Sequence, residues 1–181
     1  MRLGSLPKVV QSQLPDGQSG NIETIKFMKE VARLRSGHPL IRKFALNILQ
    51  DYGVPSNHYI DEALAIGDYV KKRVRYVRDP DDIEYLQDPI DLIGQMKNNE
   101  AQGDCDDMAL LIASLLLSIG HQPAFGAVRY RHNYGPYNHI YVVDYERNGK
   151  GPKSRVVLDA IMKEQPIGYE VSSASGDEYP V

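Results

Sequence analysis

The chain carries one cysteine, Cys105, in the string Gly103-Asp104-Cys105-Asp106-Asp107, and a histidine and an aspartate, His139 and Asp159, follow it. A thiol, an imidazole and a carboxylate are the parts of acyl-transfer chemistry: a nucleophile, a base that takes its proton and returns one to the leaving group, and an acceptor that fixes the imidazole tautomer. The position of Cys105 suits the first role. Residues 108–119 are apolar on every side, too long for an ordinary strand and too short to cross a membrane, so they read as a buried helix that stops at Gly120 with Pro123 beyond it. At the mouth of that helix a thiol meets unpaired backbone N–H groups and the positive end of the helix dipole, which favour thiolate. The plainer alternative is a small buried hydrophobe flanked by capping acids.

The other two residues need a hairpin to bring them together. His139 and Asp159 fall on two strand-like segments flanking a turn-rich loop, and paired residues of an antiparallel hairpin share a constant index sum. A sum of 298 sets the two side chains directly opposite, 300 makes them diagonal neighbours on one face, and 299 separates them. Either even register lets the carboxylate orient the imidazole. His132, in the loop before the strand, is the rival base, while His38, His58 and His121 sit near helix ends and read as surface or capping residues. Asp144 is the rival acid, but alternation points it away from His139.

The rest of the chain reads as the frame for these residues. Residues 1–20, rich in Gly, Ser, Gln and Pro, read as an extended arm, residues 21–171 as one domain and residues 172–181 as a mobile tail. Three helical patterns come first: Ile22, Ile25, Met28, Val31 and Ala32; then Ile41, Ala45, Ile48 and Leu49 behind Pro39; then Ile60, Leu64 and Tyr69, capped by Ser56 or Asn57. A Pro-rich break leads through Asp88-Pro89 into a short helix, and the Cys105 helix follows. After it the apolar period shortens to two, giving strands over 124–131, 139–145 and 155–159, with 167–171 as a fourth. Helices first and strands last make an α+β domain, its antiparallel sheet packed on the Cys105 helix.

Length and charge bound the alternatives. The 181 residues, 42% of them hydrophobic, suffice for one core, and a single cysteine excludes an intrachain disulfide. No apolar run of signal-peptide or membrane-spanning length is present, so the expectation is a cytoplasmic protein with no membrane partner. Residues 79–107 carry ten Asp and Glu against one Lys. The basic run from Lys71 to Arg78 reads as a solvated helix face rather than a nucleic-acid surface.

The acidic Asp79-Pro80 stretch, the Gly103–Asp107 string opening an apolar helix, the His139 strand and Val156-Val157-Leu158-Asp159 after a hairpin together resemble the transglutaminase-like superfamily, over residues 60 to 165. The resemblance implies a papain-like fold, with Cys105 as nucleophile, His139 as base and Asp159 as orienting acid. It looks most like the small bacterial and phage-type members rather than the large animal crosslinking enzymes. It also implies a cysteine-dependent hydrolase or transamidase acting on a protein or peptide amide through a thioester, with a non-catalytic peptide-binding module on the same fold as the alternative. No cofactor is required. Many members place tryptophan near the histidine and the third residue, whereas this chain has no Trp. Oxyanion stabilisation then falls to the Cys105 N–H and one side-chain donor, Gln87 or Gln102. Some bacterial relatives with an Asp-Cys-Asp motif are calcium-dependent, and Asp104, Asp106 and Asp107, joined by a residue of the Asp79–Glu84 loop, offer oxygen ligands to calcium. Two alternatives stand beside it: a field favouring Lys- or Arg-bearing substrates, and plain solvated caps. Oligomeric state is not legible.

Overall fold

A computed structural model describes residues 15–80, 84–130, 135–146, 154–170 and 173–181. Its first helix, α1 (Gln18–Ser36), turns Ile25, Met28, Val31 and Ala32 inward, as the spacing predicts. The expected arm thus gives way to helix at Gln18, and its first fourteen residues lie outside the described set. α2 (Pro39–Asp51) starts with Pro39 at its first position, where the missing N–H costs nothing, and His38 Nδ1 accepts the Leu40 N–H at 3.2 Å. α3 (Tyr59–Arg73) starts after His58, not after Ser56 or Asn57. β1 (Arg75–Tyr76) pairs in parallel with β2 (Gln102–Gly103), and between them α4 (Pro89–Lys97) is capped by Asp88, whose Oδ1 accepts the Ile90 N–H at 2.9 Å.

α5 (Cys105–Ser118) is the centre of the molecule. All its residues except Cys105 and Leu117 are buried, because α1, α2, α3 and α4 pack around it and the sheet covers its remaining side. Six buried leucine, isoleucine and methionine side chains, at about 1.5–3 kcal/mol each, make it the main source of hydrophobic stabilisation.

The sheet has strand order β5-β4-β3-β6, with β3 (Ala124–Tyr130), β4 (His139–Tyr145), β5 (Arg155–Leu158) and β6 (Ser173–Pro180) antiparallel throughout. Alternation divides it cleanly. Phe125, Ala127, Ile140, Val142, Val156 and Leu158 join the helical core, whereas Val128, Tyr141, Val143 and Val157 form a second cluster on the other face. β4 and β5 pair Val142 with Leu158 and Val143 with Val157, an index sum of 300.

The C-terminal segment departs from expectation. Residues 173–180, expected as part of a mobile tail, form β6 along the whole of β3, while the described part of the fourth strand expected at 167–171, residues 167–170, is not strand and turns at Gly168. Small residues make β6 possible: a Cβ on Gly176 would meet Val128 Cγ1 at 2.7 Å, so only glycine lets the two backbones approach.

Candidate active site

Cys105 stands at the first position of α5, half-buried, on a cleft of about 210 Å³. Four elements form that cleft: Asn21, Ile25 and Met28 of α1, Tyr76 and Arg78 beside β1, Asp104 and Asp106 at the helix mouth, and His139 and Ile140 of β4. The sulfur accepts a hydrogen bond from the Ile140 backbone N–H, so it lies against β4 next to His139.

His139 and Asp159 come together through the register. With an index sum of 300 they are diagonal neighbours on one face, and His139 Nε2 lies 2.7 Å from Asp159 Oδ2, both side chains being buried. Asp159 Oδ1 accepts the Ile161 N–H at 3.2 Å, which fixes the carboxylate from the other side. α1 steadies the approach to β4: Gln18 Oε1 accepts the Tyr137 N–H at 3.0 Å and Asn21 Nδ2 donates to the Tyr137 carbonyl. The rival His132 lies outside the described residues. The rival Asp144 belongs to a different group, described below.

The mouth of α5 is crowded with acid. Asp106 and Asp107 are buried, and Asp104, Asp106 and Asp107 can each offer an oxygen within 4.8 Å of the others. Asp107 Oδ1 accepts the Gln87 N–H at 2.7 Å, its Oδ2 accepts Gln87 Nε2 at 2.6 Å and the Asp104 N–H at 3.4 Å, and its own N–H donates to Asp106 Oδ1 at 2.8 Å. Gly103 makes room for this, since a Cβ there would meet Asp107 Oδ2 at 2.7 Å. Two buried oxygens, Asp104 Oδ1 and Asp106 Oδ2, have no hydrogen-bond partner among the described residues.

Crowding moves the protons. Burial, with Asp104 adding to it, pushes the Cys105 thiol up to about 12, and the Ile140 N–H offsets only part of this. Burial raises Asp107 to about 7 against its hydrogen bonds from Gln87, and burial together with Asp104 holds Asp106 well above the carboxylate range. Partial desolvation, Asp104 and Asp79 raise Glu84. The thiolate-favouring effect expected of the helix end is therefore outweighed here: burial of the thiol, with the Asp104 charge adding to it, exceeds what half an elementary charge of dipole supplies.

Gln87 does not reach the cleft. Its amide nitrogen donates to Asp107 Oδ2 and to the Gln102 carbonyl at 2.8 Å, and its oxygen accepts from Gln95 at 2.9 Å. The side chain expected as an oxyanion donor thus locks Asp107 in place, because the buried carboxylate takes one of its amide hydrogens and the Gln102 carbonyl takes the other. Gln102 is exposed and its Oε1 accepts from Arg75 at 2.6 Å.

At the far end of α5, His121 is neither a surface nor a capping residue. It is buried with Nδ1 2.6 Å from Asp144 Oδ2 and Nε2 2.9 Å from Glu62 Oε2, and the Tyr59 ring packs edge-on against it at 5.3 Å. Burial alone would lower its pKa, but Asp144 and then Glu62 outweigh it and the net shift is upward. Only the alternation that turned Asp144 away from His139 hinted at this group.

No helix among the described residues is long and apolar enough to cross a membrane. No protein-family model matches the chain, and no curated protein matches it. Three solved structures share part of its course. Legionella pneumophila LapG, EGTA-treated, is 16% identical over 85% of this chain and 79% of its own, with a TM-score of 0.48. A second LapG structure from the same organism is 15% identical over 75% of this chain and 74% of its own, with a TM-score of 0.46. A candidate cysteine protease from Cytophaga hutchinsonii is 17% identical over 78% of this chain and 51% of its own, with a TM-score of 0.47.

Proposed function

We propose that the chain is a cysteine-dependent amide-bond hydrolase or transamidase of the transglutaminase-like kind, akin to the small bacterial and phage-type members, acting on a protein or peptide. The observation that carries the reading is one cleft lined by Cys105 and His139, with His139 Nε2 held 2.7 Å from Asp159 Oδ2. Asp159 orients the imidazole and stabilises its charged form; His139 removes the thiol proton as Cys105 attacks, then returns it to the leaving amine; water or a second amine resolves the thioester. A thiol raised to about 12 calls for proton removal during attack rather than a resting ion pair.

The acidic mouth fits calcium, a hard cation that takes carboxylate oxygens, through Asp104, Asp106 and Asp107. Bound there, calcium would supply a countercharge to a thiolate at Cys105.

The thiol's upward shift also favours the second reading, a peptide-binding module without turnover. Mass spectrometry of a peptide library incubated with and without a primary amine separates the two. The expected result is amine incorporation or cleavage, lost in Cys105→Ala and His139→Ala variants that keep the wild-type circular dichroism. Turnover unchanged in either variant rules out this mechanism, and no turnover with an unreactive Cys105 selects the binding module.

A further inference from the structure

Acyl transfer at Cys105 needs a donor for the carbonyl oxygen that becomes negative, and the structure narrows the candidates. The Cys105 N–H, at the first position of α5, has no intrahelical carbonyl partner and supplies one donor. Gln87 is engaged with Asp107 and Gln102, and the chain has no Trp. Asn21 Nδ2 is engaged with the Tyr137 carbonyl.

We propose, resting on the acyl-transfer reading above, that the Tyr76 hydroxyl is the second oxyanion donor. Tyr76 lines the Cys105 cleft and is 37% exposed, so a substrate carbonyl has access to it. Its backbone is fixed beside the nucleophile: Tyr76 pairs with Gly103, the Val77 N–H donates to the Gly103 carbonyl at 3.0 Å, and the Arg75 N–H donates to the Ala101 carbonyl at 2.9 Å. The segment that delivers Tyr76 is thus bonded directly to the segment that delivers Cys105. Its hydroxyl has no hydrogen-bond partner among the described residues. Burial raises the phenol, and the negative charge available at Cys105 and Asp104 raises it further, so it remains a protonated donor through the working pH range. A phenol here does the work of a preorganised donor aimed at developing charge.

Two reagents isolate this role. With p-nitrophenyl acetate, the Cys105 sulfur adds to the ester carbonyl, the π pair moves to oxygen, the thiol proton passes to His139, and collapse of the oxyanion expels p-nitrophenolate to leave acetyl-Cys105. Iodoacetamide alkylates the same sulfur by displacing iodide at a saturated carbon, with no oxyanion. Intact-mass spectrometry follows both reactions. Tyr76→Phe is expected to slow acetylation about 100-fold and to leave alkylation within about twofold, while Tyr169→Phe, the same change at an exposed tyrosine outside the cleft, alters neither. Unchanged acetylation in Tyr76→Phe overturns the assignment, and so does an equal loss in both reactions, which would mean that Tyr76 acts on the thiol itself. If wild-type Cys105 is not acetylated while iodoacetamide still labels it, the acyl-transfer reading fails first and takes Tyr76 with it.

Discussion

The two ends of α5 both bury carboxylates, and they solve the resulting problem differently. Beyond the C-terminal end, Glu62 and Asp144 enclose His121, a cation supplied by the chain itself. At the N-terminal end, Asp104, Asp106 and Asp107 gather close together, and two of their oxygens are buried without hydrogen-bond partners among the described residues. Buried ionised groups persist when they are paired and hydrogen-bonded. The first cluster is closed in that sense, with only Asp144 Oδ1 lacking a hydrogen bond among the described residues. The second is open, and it borders the cleft that holds Cys105. An electrostatically complete cluster is a piece of architecture, whereas an incomplete one beside a nucleophile is a place where something is added.

The largest effect expected from breaking this contrast is at the closed end. His121→Leu leaves Glu62 and Asp144 buried and uncompensated, for an expected loss of about 3–5 kcal/mol in urea unfolding. The folded variant should acetylate Cys105 at the wild-type rate. A loss below about 1 kcal/mol would place His121 among groups that contribute little. The pH dependence has a definite sign. Because the folded pKa of His121 is raised, its contribution is fully present below about 6.5, the free-histidine value, and disappears as pH rises through the folded value.

Next in size is the open end. Millimolar calcium is expected to stabilise the wild type by about 2.7 kcal/mol at a hundredfold excess over Kd, and Asp106→Asn to remove that gain. No shift in thermal unfolding against a chelator control would exclude the ion. Here too the sign is fixed, and the window differs. Asp107 is raised from the usual carboxylate value to about 7, so in the metal-free protein its contribution is fully present below about 4 and is lost as pH climbs toward 7. Calcium should flatten that slope while leaving the His121 slope above it untouched.

Much of the open end was legible in the sequence because its residues are contiguous. The apolar run after Cys105 announces α5, and the period-two arithmetic reduces the His139–Asp159 question to one integer, the register sum observed at 300. The closed end was not legible: Glu62 lies on α3, Asp144 on β4 and His121 in the connection after α5, and each alone looks like an ordinary helix-end or strand residue. β6 escaped for another reason, since Ser, Ala, Gly and Asp have low strand propensity and its pairing depends on the close approach that Gly176 permits. Gln87 shows the limit of role assignment by residue type, because its amide was claimed by a carboxylate that only the fold brings near.

A third variant tests how tightly the open end is built. Gly103→Ala puts a methyl where Asp107 Oδ2 and Cβ lie at 2.7 and 2.8 Å, so the Asp107 side chain must shift away from Gln87. The expected cost is about 1–3 kcal/mol, together with weaker calcium stabilisation, read from the same thermal-shift titration. An unchanged calcium response would mean that Asp107 is not among the ligands and that Asp104 and Asp106 hold the ion without it.

The smallest effect is the most pointed comparison, because the molecule contains the same charge arrangement in water. On the outer side of the sheet Arg155 reaches Glu170 at 2.8 Å and Glu178 at 2.9 Å, one cation between two carboxylates, as at His121. Here the three side chains are about a third to a half exposed. Solvent and salt screen exposed pairs, which contribute about 0–1 kcal/mol. Arg155→Ala should therefore cost about 1 kcal/mol or less, and the cost should shrink further in 1 M salt, where His121→Leu keeps its full effect. If the two variants lose the same stability at high salt, burial is not what separates them, and the distinction between a closed cluster and an open one loses its physical basis.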